Sequence, residues 1–194
     1  MVRAGAALWG WLIVDTADIT TQFSQIGAQG MDDGSNFGDI EGTDRVRAHA
    51  AQLGLDVEIV ERPEASSLEE AASLLGITPG EIVKTLVVKR HDGSFLFALV
   101  PGGRKISWAK LRAVVGVNKL SLPDKELALE ATGYERGTIT PLGSRTALPV
   151  YADGTIGPGR IALGAGAHGH SLFVDSEAFL TAFGAHVGDI SDPE

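Results

Sequence analysis

Between residues 43 and 194, apolar positions recur at the two spacings that distinguish helices from strands. Capped segments with helical periodicity predict five helices, and these begin near Thr43, Ser67, Ser107, Pro123 and Ser176. Alternating or continuously apolar segments predict about six strands: VEIVE, IVKTLVVKR, SFLFALV, LPVYAD, RIAL and HSLFVD. Because these strands follow one another in hairpin-like steps, we expect an α+β fold with a mixed, curled, barrel-like β-sheet and surrounding helices.

One lysine interrupts the apolar pattern of the predicted hairpin around His91-Asp92-Gly93. In the strand IVKTLVV, a period of two places Lys84 on the same face as Ile82, Leu86 and Val88. An unpaired buried ammonium is costly, so Lys84 must find a partner, snorkel at the start of the strand, or face a cleft. In a cleft it would anchor an anionic or carbonyl-bearing ligand.

The first 40 residues differ from the rest of the chain. Their apolar run, AGAALWGWLIV, is too short for a membrane span, which needs about 20 residues. A polar, glycine-rich stretch follows, and Met31 is a candidate for the true start. We therefore expect residues 1–40 to be a disordered extension or a misassigned start, residues 41–194 to form the domain, and no membrane association.

The distribution of charge is more informative than the net charge of −9, which by itself argues weakly against binding to DNA or RNA. The segment 84–119, termed the basic strip, contains eight basic residues and a single acid, Asp92. Such a strip can steer a polyanion to one place, although the same residues could be ordinary solvated faces. The chain has no cysteine, which excludes disulfides, thiolate metal sites and a cysteine nucleophile.

The segment GAGAHGH, residues 164–170, matches the spacing G-x-G-x-x-G of dinucleotide-binding loops. Its continuation, HSLFVD, alternates like a strand, whereas a dinucleotide site needs a helix there. We expect a tight connection between two strands whose bare backbone allows close approach. His168 and His170 are two potential ligands without a third at recognisable spacing, so we expect neither a metal nor a cofactor.

A second glycine-rich segment, residues 133–143, lies between the predicted helix that begins near Pro123 and the predicted strand LPVYAD. Its sequence, GYERGTITPLG, combines three glycines that permit unusual dihedral angles with a proline, Pro141, that stiffens the centre. A rigid loop with exposed peptide groups suits recognition of a small ligand, although a plain surface crossing is the alternative. We refer to residues 133–143 as the substrate loop.

Taken together, these motifs resemble a known family. VKTLVV, TGYERGTITPLG, LPVYAD and GAGAHG occur in the order, and at about the spacing, of the YbaK/ProX-type aminoacyl-tRNA deacylases. Those proteins are similar to the editing domain inserted in bacterial prolyl-tRNA synthetases. The resemblance covers residues 43–190 and implies a mixed-sheet α+β fold, no cofactor, a cytoplasmic location and hydrolysis of the ester of mischarged aminoacyl-tRNA. Its implied partners are tRNA and an aminoacyl-tRNA synthetase.

The resemblance also assigns roles to individual residues. Lys84 corresponds to the functional lysine, and Asp153 to the acid that ends the next strand after the substrate loop. The implied substrate-binding positions are Gly133, Tyr134, Gly137, Ile139, Pro141, Gly143, Gly164 and Gly166. Some members have a serine where this chain has Gly164, so a serine role does not transfer and the amino acid removed stays open.

These assignments predict a mechanism without a covalent intermediate. Lys84 anchors the terminal nucleotide or its phosphate, while peptide N–H groups of segments 137–143 and 164–166 hold the carbonyl oxygen as negative charge develops. Water attacks with help from the free ribose hydroxyl or from Asp153. Arg104, Lys105, Lys110 and Arg112 are the expected contacts to the acceptor stem. The alternative is a non-catalytic module that binds aminoacyl-tRNA or another small ligand in the same cleft.

Overall fold

The computed structural model describes residues 42–194, so the expectation for residues 1–40 lies outside the described part. The described residues contain a 3-10 helix, Pro79–Glu81, and five α-helices. The α-helices are α1 (Gly42–Gln52), α2 (Leu68–Leu75), α3 (Trp108–Val115), α4 (Lys125–Thr132) and α5 (Ser176–Ala182). None of these helices has the length and apolar character needed to cross a lipid bilayer.

Ten strands are present in the described residues, where the sequence pattern predicts about six. They are β1 (Val57–Glu61), β2 (Val83–Arg90), β3 (Phe95–Pro101), β4 (Arg104–Ile106), β5 (Leu120–Ser121), β6 (Val150–Asp153), β7 (Arg160–Gly164), β8 (His170–Asp175), β9 (His186–Gly188) and β10 (Ser191–Pro193). They form three sheets, with strand orders β5-β2-β3-β6-β9, β1-β8-β7 and β10-β4. The prediction of a mixed α+β fold is confirmed, but the strands described here do not close into a barrel.

The five-stranded sheet is mixed and has a hydrophobic core on each face. β2 pairs with β3 in antiparallel orientation, whereas β3–β6 and β6–β9 are parallel pairs. Alternate residues of β3 enter different cores: Phe97 and Leu99 pack in the larger core, and Leu96 and Ala98 pack against Leu111 of α3 in the smaller one. The apolar character of SFLFALV on both faces is thereby explained, because β3 is the central strand of the sheet.

The glycine-rich segment 164–169 connects β7 and β8, which pair in antiparallel orientation with Gly164 opposite Ser171. The prediction of a connection between two strands is confirmed. A bridge between Ile82 and Ala162 links the residue before β2 to β7. The start of β2, which carries Lys84, therefore lies beside the strand that leads into this glycine-rich segment. We refer to residues 164–169 as the glycine turn.

Local signals fix most helix ends. The hydroxyl of Ser67 accepts a hydrogen bond from the N–H of Glu70, in agreement with the predicted helix start near Ser67, and Gly76 ends α2 in the left-handed conformation. The N-cap residues of α4 and α5 are Asp124 and Asp175, whose carboxylates accept from the third helical N–H. Relative to the predicted starts near Pro123 and Ser176, the N-cap of α4 lies one residue later and the N-cap of α5 one residue earlier.

Candidate active site

A cavity of about 440 Å³ lies where β2, the substrate loop and β7 meet. Four of the residues singled out in the sequence line it: Lys84, Gly137, Ile139 and Gly164. They come from three segments that are far apart along the chain. The rest of the wall is largely apolar and includes side chains from α2 and α4. The structure therefore brings the lysine strand, the substrate loop and the glycine turn together around one space.

The substrate loop is shaped by a turn and then enters the protein interior. Gly133 ends α4 at φ 71°, and the N–H of Thr138 donates to the carbonyl of Glu135 at 3.0 Å. Gly137, the third residue of this turn, has φ 94°, a conformation that a type II turn reserves for glycine. From Thr138 onward the loop is buried, Pro141 included, so only its first half reaches solvent.

Tyr134 stabilises the substrate loop from within the protein interior and is not among the cavity-lining residues. Its side chain is 1% exposed, its hydroxyl donates to the carbonyl of Leu142 at 2.8 Å, and the Arg45 guanidinium lies 4.2 Å from the ring centroid. Burial raises the pKa of the Tyr134 hydroxyl, and Arg45 opposes this shift only in part. Gly143 packs against the same hydroxyl. Tyr134 and Gly143 thus stabilise the conformation of the loop. Neither is among the cavity-lining residues, and substrate contact at these two positions stays a prediction.

The glycine turn packs directly on the substrate loop. A Cβ atom on Gly164 would lie 2.5 Å from the carbonyl oxygen of Ile139, and the N–H of Gly166 donates to the carbonyl of Thr138 at 2.9 Å. Gly166 has φ 80° and touches the backbone of Gly42. Glycine is therefore required at both positions for close backbone approach, and Gly166 holds the turn in place without lining the cavity.

The amine of Lys84 is paired. Lys84 shares a face of β2 with Leu86, as predicted, and its Nζ donates to the carbonyl of Arg104. The same amine contacts Oε1 of Glu194 at 2.6 Å, and the Lys84 side chain is 26% exposed. Of the three alternatives for this lysine, the structure shows a paired ammonium, and Lys84 is one of the residues that line the cavity.

Asp153 is a structural carboxylate in this arrangement. It is 1% exposed and accepts hydrogen bonds from the hydroxyls of Ser191 and Thr155 and from the N–H groups of Thr155 and Ile190. Burial favours the neutral acid, but the hydrogen bonds outweigh it and hold the pKa of Asp153 below its ordinary value. The carboxylate is enclosed and is not among the cavity-lining residues, so its expected part in activating the attacking water stays a prediction.

The basic strip is partly neutralised by the last residues of the chain. Lys110 contacts Asp189 at 3.0 Å and Asp192 at 2.8 Å, and its hydrogen bond is the main cause of the lowered pKa of Asp192. Arg104 donates to Ser191 and lies 3.7 Å from Asp153. Lys105 is exposed and Arg112 is half-buried, and neither has an ion pair among the described residues. Only these two of the four expected stem contacts thus lack an acidic partner.

The cavity wall contains further polar residues to which the sequence motifs assign no role in substrate binding. They are Arg62, Thr85, Arg136, His170 and Ser171. No carboxylate is among the cavity-lining residues of the described chain, so the polar part of the wall is cationic or neutral. The hydroxyl of Thr85 is buried and has no hydrogen-bond partner in this part of the chain. Arg136 precedes Gly137 and His170 follows the glycine turn, so proximity to these motifs was the signal available.

No group of three or more His, Asp or Glu side chains among the described residues is arranged to hold a metal ion. His168 contacts Glu135 at 2.9 Å from the turn, whereas His170 begins β8 and lines the cavity. The two histidines thus have separate surroundings.

Comparison with known proteins places the fold and this cavity in context. Residues 62–182 match the aminoacyl-tRNA editing domain family, and the chain belongs to that family. It is 33% identical over 102 residues to the proline–tRNA ligase of Kosmotoga olearia, covering 53% of this chain and 17% of that protein. It is 38% identical over 88 residues to the proline–tRNA ligase of Thermosipho africanus, covering 45% of this chain and 16% of that protein.

The chain thus spans about a fifth or less of the length of these curated relatives. Among solved structures, it superposes with a TM-score of 0.72 on a proposed trans-editing enzyme for prolyl tRNA synthetase, at 29% identity. This match covers 78% of the present chain and 97% of that structure. The expected resemblance to editing domains is therefore confirmed.

Proposed function

We propose that this protein hydrolyses the ester bond of mischarged aminoacyl-tRNA. The observation that carries this proposal is the meeting of Lys84, Gly137, Ile139 and Gly164 in one cavity whose described lining has no carboxylate. A wall of that composition accepts the anionic end of an RNA, and membership of the editing-domain family supports the substrate class. The partners proposed are tRNA and an aminoacyl-tRNA synthetase, and the proposed location is the cytoplasm.

In the proposed reaction, water adds to the ester carbonyl and the bond to the ribose oxygen breaks. The proton lost by water passes to the ribose oxygen, so a free amino acid and an intact tRNA leave. Negative charge develops on the carbonyl oxygen during the attack and needs fixed donors. The N–H groups of Gly137 and Ile139 donate to no acceptor within residues 42–194, and both residues line the cavity. We assign these two peptide groups to the carbonyl oxygen.

The free ribose hydroxyl of the terminal adenosine is the proposed proton relay, because Asp153 is enclosed by its own hydrogen bonds. Lys84 contributes a fixed positive charge beside the ester. Its ammonium has three N–H donors, and the carbonyl of Arg104 and the carboxylate of Glu194 occupy two of them. One donor therefore remains for the substrate.

Selection of the amino acid is proposed to rest on the apolar wall. Val83, Leu75 and Ile139 surround the space that the acyl side chain would fill. Pocket size discriminates by roughly 10- to 200-fold per methylene group. This level of selection suits a proofreading step that follows an earlier selection by a synthetase.

The test is a deacylation assay on a panel of mischarged tRNAs with the Lys84→Ala variant alongside. We expect at least one substrate to be hydrolysed, and Lys84→Ala to lower kcat/KM by about 10- to 100-fold through loss of a charged hydrogen bond. Lys125→Ala, which removes a lysine that is 76% exposed on α4, is the matched control and should retain activity. Thermal unfolding of both variants establishes that they are folded.

Binding of aminoacyl-tRNA without turnover on every substrate would instead support the non-catalytic module. The described cavity lining has no carboxylate that could act as a general base, and this favours the second candidate. Single-turnover measurements at enzyme excess separate the two candidates, because a slow enzyme still releases the amino acid whereas a binding module protects the ester.

A further inference from the structure

Two arginines on the cavity wall have no acidic partner among the described residues. Arg62 follows β1, and Arg136 lies in the turn that begins the substrate loop. The ion pairs of the described chain involve neither of them. An arginine guanidinium stays charged at any pH the protein would meet. The cavity lining therefore includes two positive charges that form no ion pair with a carboxylate of residues 42–194.

The carboxylates next to these arginines in sequence contact histidines instead. Glu61 lies 3.8 Å from the Nε2 atom of His170, and Glu135 lies 2.9 Å from that of His168. Neither of these two acids therefore forms an ion pair with the arginine next to it in sequence. The two guanidinium groups are left to an exogenous anion.

Arg62 is held in position by the residues around it. Its Nε donates to the hydroxyl of Ser171 at 3.0 Å, and its Nη1 donates to the carbonyl of Pro63 at 2.9 Å. Ser171 is 5% exposed, so the residue that orients the guanidinium is itself fixed in β8. A guanidinium has five N–H donors, and three of those of Arg62 remain for a ligand.

We propose that Arg62 and Arg136 bind the phosphodiester that precedes the terminal adenosine of the RNA, with Ser171 as a positioning residue for Arg62. A planar guanidinium with unused N–H groups matches phosphate oxygens in a bidentate manner. The amine of Lys84 and the side chains of Arg104 and Lys110 already have protein partners. This assignment rests on the proposed function but moves phosphate recognition from the basic strip to Arg62 and Arg136.

The experiment measures binding of uncharged RNA, so it does not depend on catalysis. The probes are a fluorescein-labelled acceptor-stem hairpin ending in single-stranded CCA and the same hairpin without its terminal adenosine and the phosphate that joins it. Binding is followed by fluorescence anisotropy at several salt concentrations for wild type, Arg62→Gln, Arg136→Gln and Ser171→Ala. Arg145→Gln, which removes an exposed arginine outside the cavity lining, is the matched control.

We expect each arginine variant to weaken binding of the complete hairpin by about tenfold, because a charge-assisted hydrogen bond is lost. The slope of log K against log salt should fall by about 0.7 for the lost single-stranded phosphate contact. Ser171→Ala should weaken binding without changing that slope, since the charge of Arg62 remains. Arg62→Lys and Arg136→Lys restore the charge, and should recover the slope but only part of the affinity.

Other outcomes overturn the assignment. Equal weakening on both hairpins would place the arginines on the stem, and unchanged binding in both glutamine variants would exclude them from RNA contact. Either result leaves deacylation by the wild-type protein intact. A wild-type protein that neither binds the hairpin nor deacylates any tRNA would contradict the proposed function together with this inference.

Discussion

Asp153 joins three strands of the protein through one buried carboxylate. It ends β6, accepts from Ile190 and Ser191 at the start of β10, and lies 3.7 Å from Arg104 of β4. Each carboxylate oxygen of Asp153 accepts two hydrogen bonds. Oδ1 accepts from the N–H and the hydroxyl of Thr155, and Oδ2 accepts from the N–H of Ile190 and the hydroxyl of Ser191. The ionised form is therefore the form that the folded protein stabilises.

This lowered pKa predicts a specific loss of stability in acid. The unfolded chain takes up a proton near the ordinary aspartate pKa of about 3.9, before the folded protein does. The contribution of Asp153 to the free energy of unfolding is thus complete above that pH and is lost as pH falls through the lower folded-state pKa. Asp153→Asn should be less stable than wild type by about 1–3 kcal/mol at pH 7, with a gap that narrows towards pH 3.

Thermal and denaturant unfolding of both proteins between pH 7 and pH 3 measures this gap. Asp56→Asn, which changes an exposed aspartate, is the control and should differ little from wild type at any pH. A gap for Asp153→Asn that stays constant on acidification would contradict the assignment of Asp153 as a hydrogen-bonded anion.

Individual site residues differed in how far the sequence could predict them. Lys84 is identifiable because a charge on an apolar row violates the period of a strand, but its partner Glu194 lies 110 positions away. Arg62 stands after a short strand among exposed residues, where a charged side chain is ordinary. No local pattern marks it, since its contact with Ser171 depends on the pairing of β1 with β8.

At the scale of elements, the glycine turn and the substrate loop fit together through bare backbone. Gly164→Ala would place a methyl group 2.5 Å from the carbonyl oxygen of Ile139 and 2.6 Å from that of Thr138. Backbone atoms cannot give way as a flexible side chain does, so the loop must move. We expect a loss of about 1–3 kcal/mol in the free energy of unfolding, as in overpacked cores, together with lower deacylation.

Chemical denaturation and the deacylation assay check this prediction, with Gly157→Ala as the matched control. A Cβ atom on Gly157 would meet nothing within 4 Å, so that variant should stay within about 0.5 kcal/mol of wild type. Gly164→Ala with wild-type stability and activity would show that the turn and the loop do not rely on this contact.

Also at the scale of elements, the longer strands could be predicted from the sequence pattern, whereas the shortest ones could not. The hairpins β2–β3 and β7–β8 were predictable, because alternating or continuously apolar segments flank glycine-containing turns. Strands β4, β5, β9 and β10 have only two or three residues, too few to show any period. Their pairing, and hence the division into three sheets, depends on contacts between distant segments such as β10 with β4.

At the scale of the whole molecule, the charge pattern of the folded protein differs from that of the chain. The segment 84–119 has eight bases and one acid, and the protein as a whole has a net charge of −9. Folding places Asp189, Asp192 and Glu194 on two lysines of that segment. The basic strip that the sequence predicts as an RNA contact is therefore partly covered by acids from the end of the chain.

Because acids from the end of the chain pair with lysines of the basic strip, we expect removal of these acids to strengthen RNA binding. Glu194→Gln removes the carboxylate partner of Lys84, and Asp192→Asn removes one of the two carboxylate partners of Lys110. Ion pairs that are open to solvent contribute only about 0–1 kcal/mol to stability. Each variant should bind the CCA-ended hairpin about two- to fivefold more tightly at low salt, the effect of one unit charge a few ångströms from a phosphate in a well-solvated region.

The gain should shrink as salt rises, because exposed charges are screened over about 8 Å at physiological ionic strength. Anisotropy titrations at low and physiological salt measure it, with unfolding experiments to confirm unchanged stability. Glu126→Gln is the matched control, since it removes the same charge from the exposed pair with Lys125, which lies outside the cavity lining. Equal affinities for wild type and both variants at low salt would mean that Lys84 and Lys110 do not contact RNA. Recognition of the RNA would then rest on Arg62 and Arg136 alone.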